Sequence, residues 1–255
     1  MGDFRSFDGT ALHYEVDGEG PTVVLLHGFA SSGESNWRRP GVVDRLAAAG
    51  RRTVTLDARG HGRSEKPYDP AAYENEAMVR DVGALFDHLG LRDADLAGYS
   101  MGSATALRFA LDDRRLRRLV LGGTGGGLDA SREAMAERGR RIAEGLDAED
   151  PERVEDPVAR RFRRFADSTG ADRRALAAIQ RGRRRSPVPR EALSRIEVPT
   201  LVLCGDRDAS PHELAAALPA GRARVIPGDH LSAVREPAFA AAIVEFLTEP
   251  VPVQA

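Results

Sequence analysis

The run Thr22-Val23-Val24-Leu25-Leu26 carries no polar alternation, as expected of a strand buried on both faces. Short segments of the same kind recur at Leu12–Val16, Thr53–Leu56, Asp95–Ala97, Leu116–Leu121, Thr200–Leu203 and Arg224–Ile226. Between them the apolar period lengthens to that of a helix. Val42–Ala49 predicts a helix closed by Gly50. Tyr73–Leu89 predicts a longer one, with Ala77, Val82, Leu85, Phe86 and Leu89 on one face and Gly90 at its end. Met101–Leu111, Glu213–Leu218 and Phe239–Leu247 continue the series. Alternating strands and helices imply a mostly parallel sheet covered on both sides.

One segment breaks the alternation. Residues 125–190 hold no convincing strand but show helical stretches near Ser131–Leu146, Glu152–Ala166 and Arg173–Arg183. Their apolar positions, among them Ile142, Leu146, Phe162, Phe165, Leu176 and Ile179, are too sparse for an independent core and enough to dock on a larger one. The expected division is a core of residues 1–124 and 191–255 with a helical cap inserted at 125–190. Gly122-Gly123-Thr124-Gly125-Gly126-Gly127 lacks a following Lys-Ser/Thr pair and reads as a flexible exit into the insertion, not a phosphate loop. Arg181-Gly182-Arg183-Arg184-Arg185 reads as a solvated helix end.

Composition narrows the function. The 255 residues suit one large α/β unit, and a net charge of −2 argues against nucleic acid as a partner. A single cysteine, Cys204, excludes an internal disulfide framework and any cysteine-built metal site. No apolar signal segment opens the chain and no stretch approaches a membrane span. A cytoplasmic protein without membrane partner, metal or cofactor, monomeric or homodimeric and acting on a small molecule, is the expectation. Residues 250–255 of the tail are expected to fray.

The chemistry centres on Gly98-Tyr99-Ser100-Met101-Gly102, set between a strand and a helix. A chain reversing so sharply holds its serine in a strained conformation with the hydroxyl outward, and glycines flank it for steric reasons. An activated serine needs a base titrating near neutrality and an acid to orient it. Of six histidines, His13 and His88 fall in a strand and on a helix and read as structural. His61 lies in a turn, His212 opens a helix, and His27 follows the apolar strand directly. His230 sits where a late strand gives way to a loop, on the sheet edge where the serine emerges. Asp206 and Asp208 both follow the strand Leu201–Gly205, whereas Asp57 reads as the cap of the turn at Arg59-Gly60.

Together these segments resemble the α/β-hydrolase superfamily over almost the whole chain. Gly98–Gly102 looks like its nucleophile elbow, His27-Gly28-Phe29 like its oxyanion loop, and Asp57–Ser64 like its Asp-x-Arg-Gly-x-Gly-x-Ser turn. Gly205-Asp206-Arg207-Asp208 matches its acid turn, and His230 its terminal histidine loop, with Asp229 where many members carry glycine. The resemblance implies a mostly parallel eight-stranded sheet, Ser100 as nucleophile, His230 as base, Asp208 as orienting acid, and the backbone N–H groups of Phe29 and Met101 as oxyanion donors. Trp37 and Tyr99 are expected at the substrate pocket, with core packing as the alternative for Trp37. The implied activity is hydrolysis of a small, mainly apolar ester or thioester. C–C bond hydrolysis, perhydrolysis or a lyase reaction on the same triad are alternatives, and a ligand-binding protein with a slow triad is another. A serine at the elbow counts against dehalogenases and the usual epoxide hydrolases, whose pattern has aspartate there.

Overall fold

A computed structural model of the chain describes residues 1–125, 131–183 and 187–250. Gly126-Gly127, Arg184-Arg185 and the tail 251–255 therefore lie outside the described residues. The strands are β1 (Gly2–Arg5), β2 (Ala11–Asp17), β3 (Thr22–Leu26), β4 (Arg52–Leu56), β5 (Ala94–Tyr99), β6 (Leu116–Gly122), β7 (Thr200–Gly205) and β8 (Gly221–Ile226). They form one sheet in the order β1-β2-β4-β3-β5-β6-β7-β8, antiparallel at β1/β2 and β2/β4 and parallel from β4 onward. The helices of the core are α1 (Val42–Ala48), α2 (Ala77–His88), α3 (Met101–Asp112), α7 (His212–Ala217) and α8 (Pro237–Thr248). Between β6 and β7 lie α4 (Arg132–Asp147), α5 (Pro157–Thr169) and α6 (Arg173–Gly182).

The two-residue period of the strands sorts the core into two layers. Val24 and Leu26 of β3, Leu96 of β5 and Leu119 and Leu121 of β6 pack against α2, α3 and α7. Val23, Leu25, Ala97, Val120 and Leu203 point the other way, against α1 and α8. A third apolar cluster joins the inserted helices to the sheet's carboxyl edge: Ile142, Leu146, Ala166, Leu176 and Ile179 pack with Phe29, Ala30 and Met101. No helix among the described residues is long and apolar enough to cross a membrane.

Two expectations change, and one strand is added. The helix read across Tyr73–Leu89 is two pieces, a short helical turn at Pro70–Tyr73 and α2 from Ala77. Asn75 and Glu76 adopt φ of 51° and 56° between them, which no helix accommodates. The helix read from Glu152 begins at Pro157, where the Asp156 carboxylate accepts the N–H groups of Val158 and Ala159 and Pro157 takes the first helical position. Strand β1 is too short and polar to stand out by pattern; its pairing with β2 makes it a strand.

The turn after β4 is pinned from beneath by Arg59, which is wholly buried. Its guanidinium donates to the Asp81 carboxylate at 2.7 and 2.6 Å, to Asp8 at 2.8 and 3.2 Å, and to the Ala72 carbonyl. Burial works to raise the Asp8 carboxyl, but Arg59 and Thr10 together hold it down to about 2. Arg59→Leu leaves the buried Asp81 without its cation, and urea unfolding should show a loss of about 3–5 kcal/mol. A loss below about 1 kcal/mol, the range of an exposed pair, would contradict the structural role given to Arg59.

Candidate active site

The parallel register decides which side chains meet. Leu26 of β3 pairs with Gly98 of β5, and Tyr99 with Gly122 of β6, so the segments after β3 and β5 emerge side by side. Ser100 sits at φ 50°, ψ −103°, a conformation that costs about 1–3 kcal/mol and persists only where its surroundings impose it. Its N–H donates to the Gly122 carbonyl at 2.8 Å, and the buried Ser103 hydroxyl lies within hydrogen-bond reach of the Gly98 and Gly122 carbonyls, at 2.8 and 2.6 Å. A Cβ on Gly98 would overlap the Gly102 backbone, and one on Gly102 would overlap the Leu26 carbonyl. Only glycine fits either place.

Ser100 Oγ lies 2.9 Å from His230 Nε2, and His230 Nδ1 lies 2.9 Å from Asp208 Oδ2. A carboxylate only accepts, so Nδ1 carries the proton and Nε2 is left to accept from the serine hydroxyl. Burial works to raise the Asp208 carboxyl, but the hydrogen bond and charge of His230 and the Ala209 N–H outweigh it and hold the group below its ordinary value. Asp206 points elsewhere, accepting the Gly228 N–H at 2.9 Å. Asp229 closes its own turn by accepting from the Leu231 and Ser232 N–H groups.

The segment after β3 passes close to the serine: a Cβ on Gly28 would stand 3.6 Å from that of Ser100. Among the described residues the Phe29 and Met101 backbone N–H groups have no acceptor. Met101 opens α3, where a helix has no internal partner for its first N–H groups. Three braces hold the Phe29 segment. Asn36 Oδ1 accepts the Gly28 N–H at 3.0 Å, His61 Nε2 accepts the Ala30 N–H at 3.2 Å, and the Thr169 hydroxyl of α5 donates to the Ala30 carbonyl at 2.9 Å. His27 Nε2 in turn accepts the Ala58 N–H at 3.0 Å, with its ring 5.0 Å from that of His61. Sequence reasoning missed Asn36 and His61 as braces; the polar residues flanking Trp37 and the strand-to-turn position of His61 were the signals.

A family-wide sequence profile of the alpha/beta hydrolase fold matches residues 21–178. The chain belongs to the α/β-hydrolase fold family. Over 97% of its length, and 99% of the relative's, it is 30% identical to a Bacillus subtilis (strain 168) protein provisionally named 2-succinyl-6-hydroxy-2,4-cyclohexadiene-1-carboxylate synthase. The solved enol-lactonase of Burkholderia xenovorans LB400 superposes with a TM-score of 0.74 at 29% identity, covering 97% of this chain and all of that one. A 106-residue stretch, 40% of the chain, is 41% identical to Epoxide hydrolase B of Mycobacterium tuberculosis (strain ATCC 25618 / H37Rv), of which it spans 29%.

Within this hydrolase fold two pocket expectations give way to packing. Trp37 is wholly buried and stacks on Phe239 of α8 at 5.9 Å, in the core layer beneath the sheet. Tyr99 is buried in the same layer, and its hydroxyl, kept protonated by burial, donates to the His230 carbonyl at 2.7 Å. Both residues shape the site from below. His13 and His88 pair away from it, with Asp3 and with Tyr14 and Phe4.

His27 and His61 are held neutral. Burial is the main cause for both, and for His61 the repulsion that two protonated rings would feel adds to it. Their folded pKa values lie below the unfolded value near 6.5, so the unfolded chain takes up protons that the folded chain refuses as pH falls below about 6.5. Stability should therefore drop from pH 6.5 to 5, by up to about 1.4 kcal/mol per pH unit for each histidine. In His61→Gln, whose amide oxygen can still accept the Ala30 N–H, denaturation curves should show a shallower slope. Parallel curves for the two proteins would show that His61 is not the titrating group.

Proposed function

We propose that this α/β hydrolase cleaves a small, mainly apolar carboxylic ester or thioester through an acyl-enzyme intermediate. The observation that carries the reading is the continuous hydrogen-bonded chain Ser100 Oγ–His230–Asp208 at a strained elbow on the carboxyl edge of the sheet. Ser100 Oγ attacks the substrate carbonyl carbon while His230 Nε2 takes its proton. The developing oxyanion meets the free N–H groups of Phe29 and Met101, whose donors are fixed before the reaction begins. His230 returns the proton to the departing alcohol or thiol, leaving the acyl group on Ser100. Water, deprotonated by His230, then releases the acid and restores the serine. Asp208 stays ionised throughout, holding the imidazole and offsetting its positive charge.

The inserted helices act as a cap in this reading, since α5 and α6 pack onto Phe29 and Met101, where the carbonyl would rest. An enol-lactonase among the solved relatives opens an ester bond, which fits the proposal. The full-length likeness to a protein named as a synthase, not a hydrolase, keeps open a second reading, a lyase reaction on the same triad.

A fluorophosphonate probe should label Ser100, found by peptide mapping, and Ser100→Ala should lose both labelling and nitrophenyl-ester turnover while remaining folded. Labelling at another residue, or an active Ser100→Ala protein, would overturn the assignment. Asp208→Asn should lower kcat by on the order of 10⁴, because an amide can hold the imidazole in the wrong tautomer. Asp206→Asn, which can still accept the Gly228 N–H, should stay close to wild type; the reverse ranking would move the acid to Asp206.

A further inference from the structure

An open groove of about 480 Å³ runs between α5 and the loop that follows His230. Arg160, Arg161, Arg164, Phe165 and Ser168 line it from α5, and Leu231 faces them from the loop. Positions 161, 164, 165 and 168 share one helix face by spacing. Leu231 directly follows His230, whose imidazole reaches Ser100 Oγ, so one wall of the groove is the residue next to that imidazole in the chain. Phe162, next to Arg161, turns toward the site and meets the Phe29 ring edge-on at 5.6 Å.

The groove carries positive charge without an acid of its own: none of its lining residues is Asp or Glu. Two of its three arginines are already committed. Arg164 donates to Glu152 at 2.7 and 3.0 Å, and Arg160 to the Val154 carbonyl at 2.7 Å. Arg161 is exposed and, among the described residues, has neither hydrogen bond nor ion pair. The other charged groups of α5 and the loop are engaged with one another or with their own turns. Arg163 pairs with Asp167, and Asp229 is held by the Leu231 and Ser232 N–H groups.

We propose that this groove is an anion subsite and that the substrate of the Ser100 reaction bears a carboxylate, which Arg161 binds. The inference rests on the hydrolase reading and adds an acidic end to the small apolar substrate given there. A planar guanidinium matches the two oxygens of a carboxylate in a bidentate pair. A phosphate offers the same oxyanion chemistry. One uncommitted guanidinium balances the single charge of a carboxylate, whereas a phosphate dianion calls for more.

The test compares 4-nitrophenyl butyrate with the mono-4-nitrophenyl ester of glutaric acid. Wild type should favour the acidic ester in kcat/KM, and the preference should shrink as sodium chloride is added. Arg161→Gln should reduce the acidic-to-neutral ratio about tenfold, chiefly through KM, as expected for loss of a charge-assisted hydrogen bond. Arg92→Gln, an exposed arginine on the turn after α2, should leave the ratio unchanged. A ratio near one in wild type, or one insensitive to Arg161→Gln, overturns the proposal. A stronger preference for the 4-nitrophenyl ester of 4-phosphonobutyrate overturns the carboxylate in favour of phosphate. If neither carboxylic ester turns over and Ser100 takes no label, the hydrolase reading fails, and glutarate binding by Ser100→Ala still tests the groove. Calorimetry should then show binding weakened about tenfold in Ser100→Ala/Arg161→Gln. Absent or unaltered glutarate binding refutes the subsite.

Discussion

The closeness of α3 to the end of β3 governs the arrangement of the whole carboxyl edge. Gly102 rests so near the Leu26 carbonyl that no Cβ fits between them, and Gly98 lies equally close to the backbone of Gly102. With the helix start pressed there, the peptide joining β5 to α3 has no room to turn gradually, and Ser100 takes the strained conformation between them. The strain is local, but what maintains it is spread over β3, β5 and β6 through the Gly122 carbonyl and the Ser103 hydroxyl. A hydroxyl at such a corner projects clear of the sheet, beside the first, unbonded N–H of the helix.

Two polar networks occupy opposite ends of the same strands. At the amino end of β5, Asp95 is fully buried among Arg51, Arg117 and Arg118, and Arg118 also donates to the Leu247 carbonyl near the end of α8. Burial disfavours ionised Asp95, and the surrounding guanidinium groups oppose that effect. At the carboxyl end the polar groups are partly buried and their hydrogen bonds run in sequence from carboxylate to imidazole to hydroxyl. Such a division sets the strands between a buried ionic anchor and a hydrogen-bonded rim at the carboxyl edge.

Much of this was legible from residue order because it depends on local constraints. Short unbroken runs rich in β-branched residues and bounded by turn signals suit buried strands, and a Gly-x-Ser-x-Gly segment between strand and helix has few conformations open to it. What escaped depended on contacts distant in sequence. Asp206 and Asp208 both follow β7, and only the path of the chain after β8 shows that one faces Gly228 and the other His230. Trp37 follows a loop near the serine, yet Phe239, some two hundred positions later, draws it into the core. Asn75 and Glu76 lie within a convincing helical period, but their left-handed backbone divides it. Asn36 and His61 brace the Phe29 segment through single hydrogen bonds, which leave no periodic trace.

The bond from the Tyr99 hydroxyl to the His230 carbonyl links two parts of the chain 131 positions apart. Tyr99 immediately precedes Ser100, so the loop bearing the histidine hangs from the same rigid corner as the serine. The hydrogen bond ties the imidazole-bearing loop to the residue that sets the position of Ser100. Leu231 of that loop faces the groove, so a change there would reshape the groove and leave the tie between Tyr99 and His230 in place.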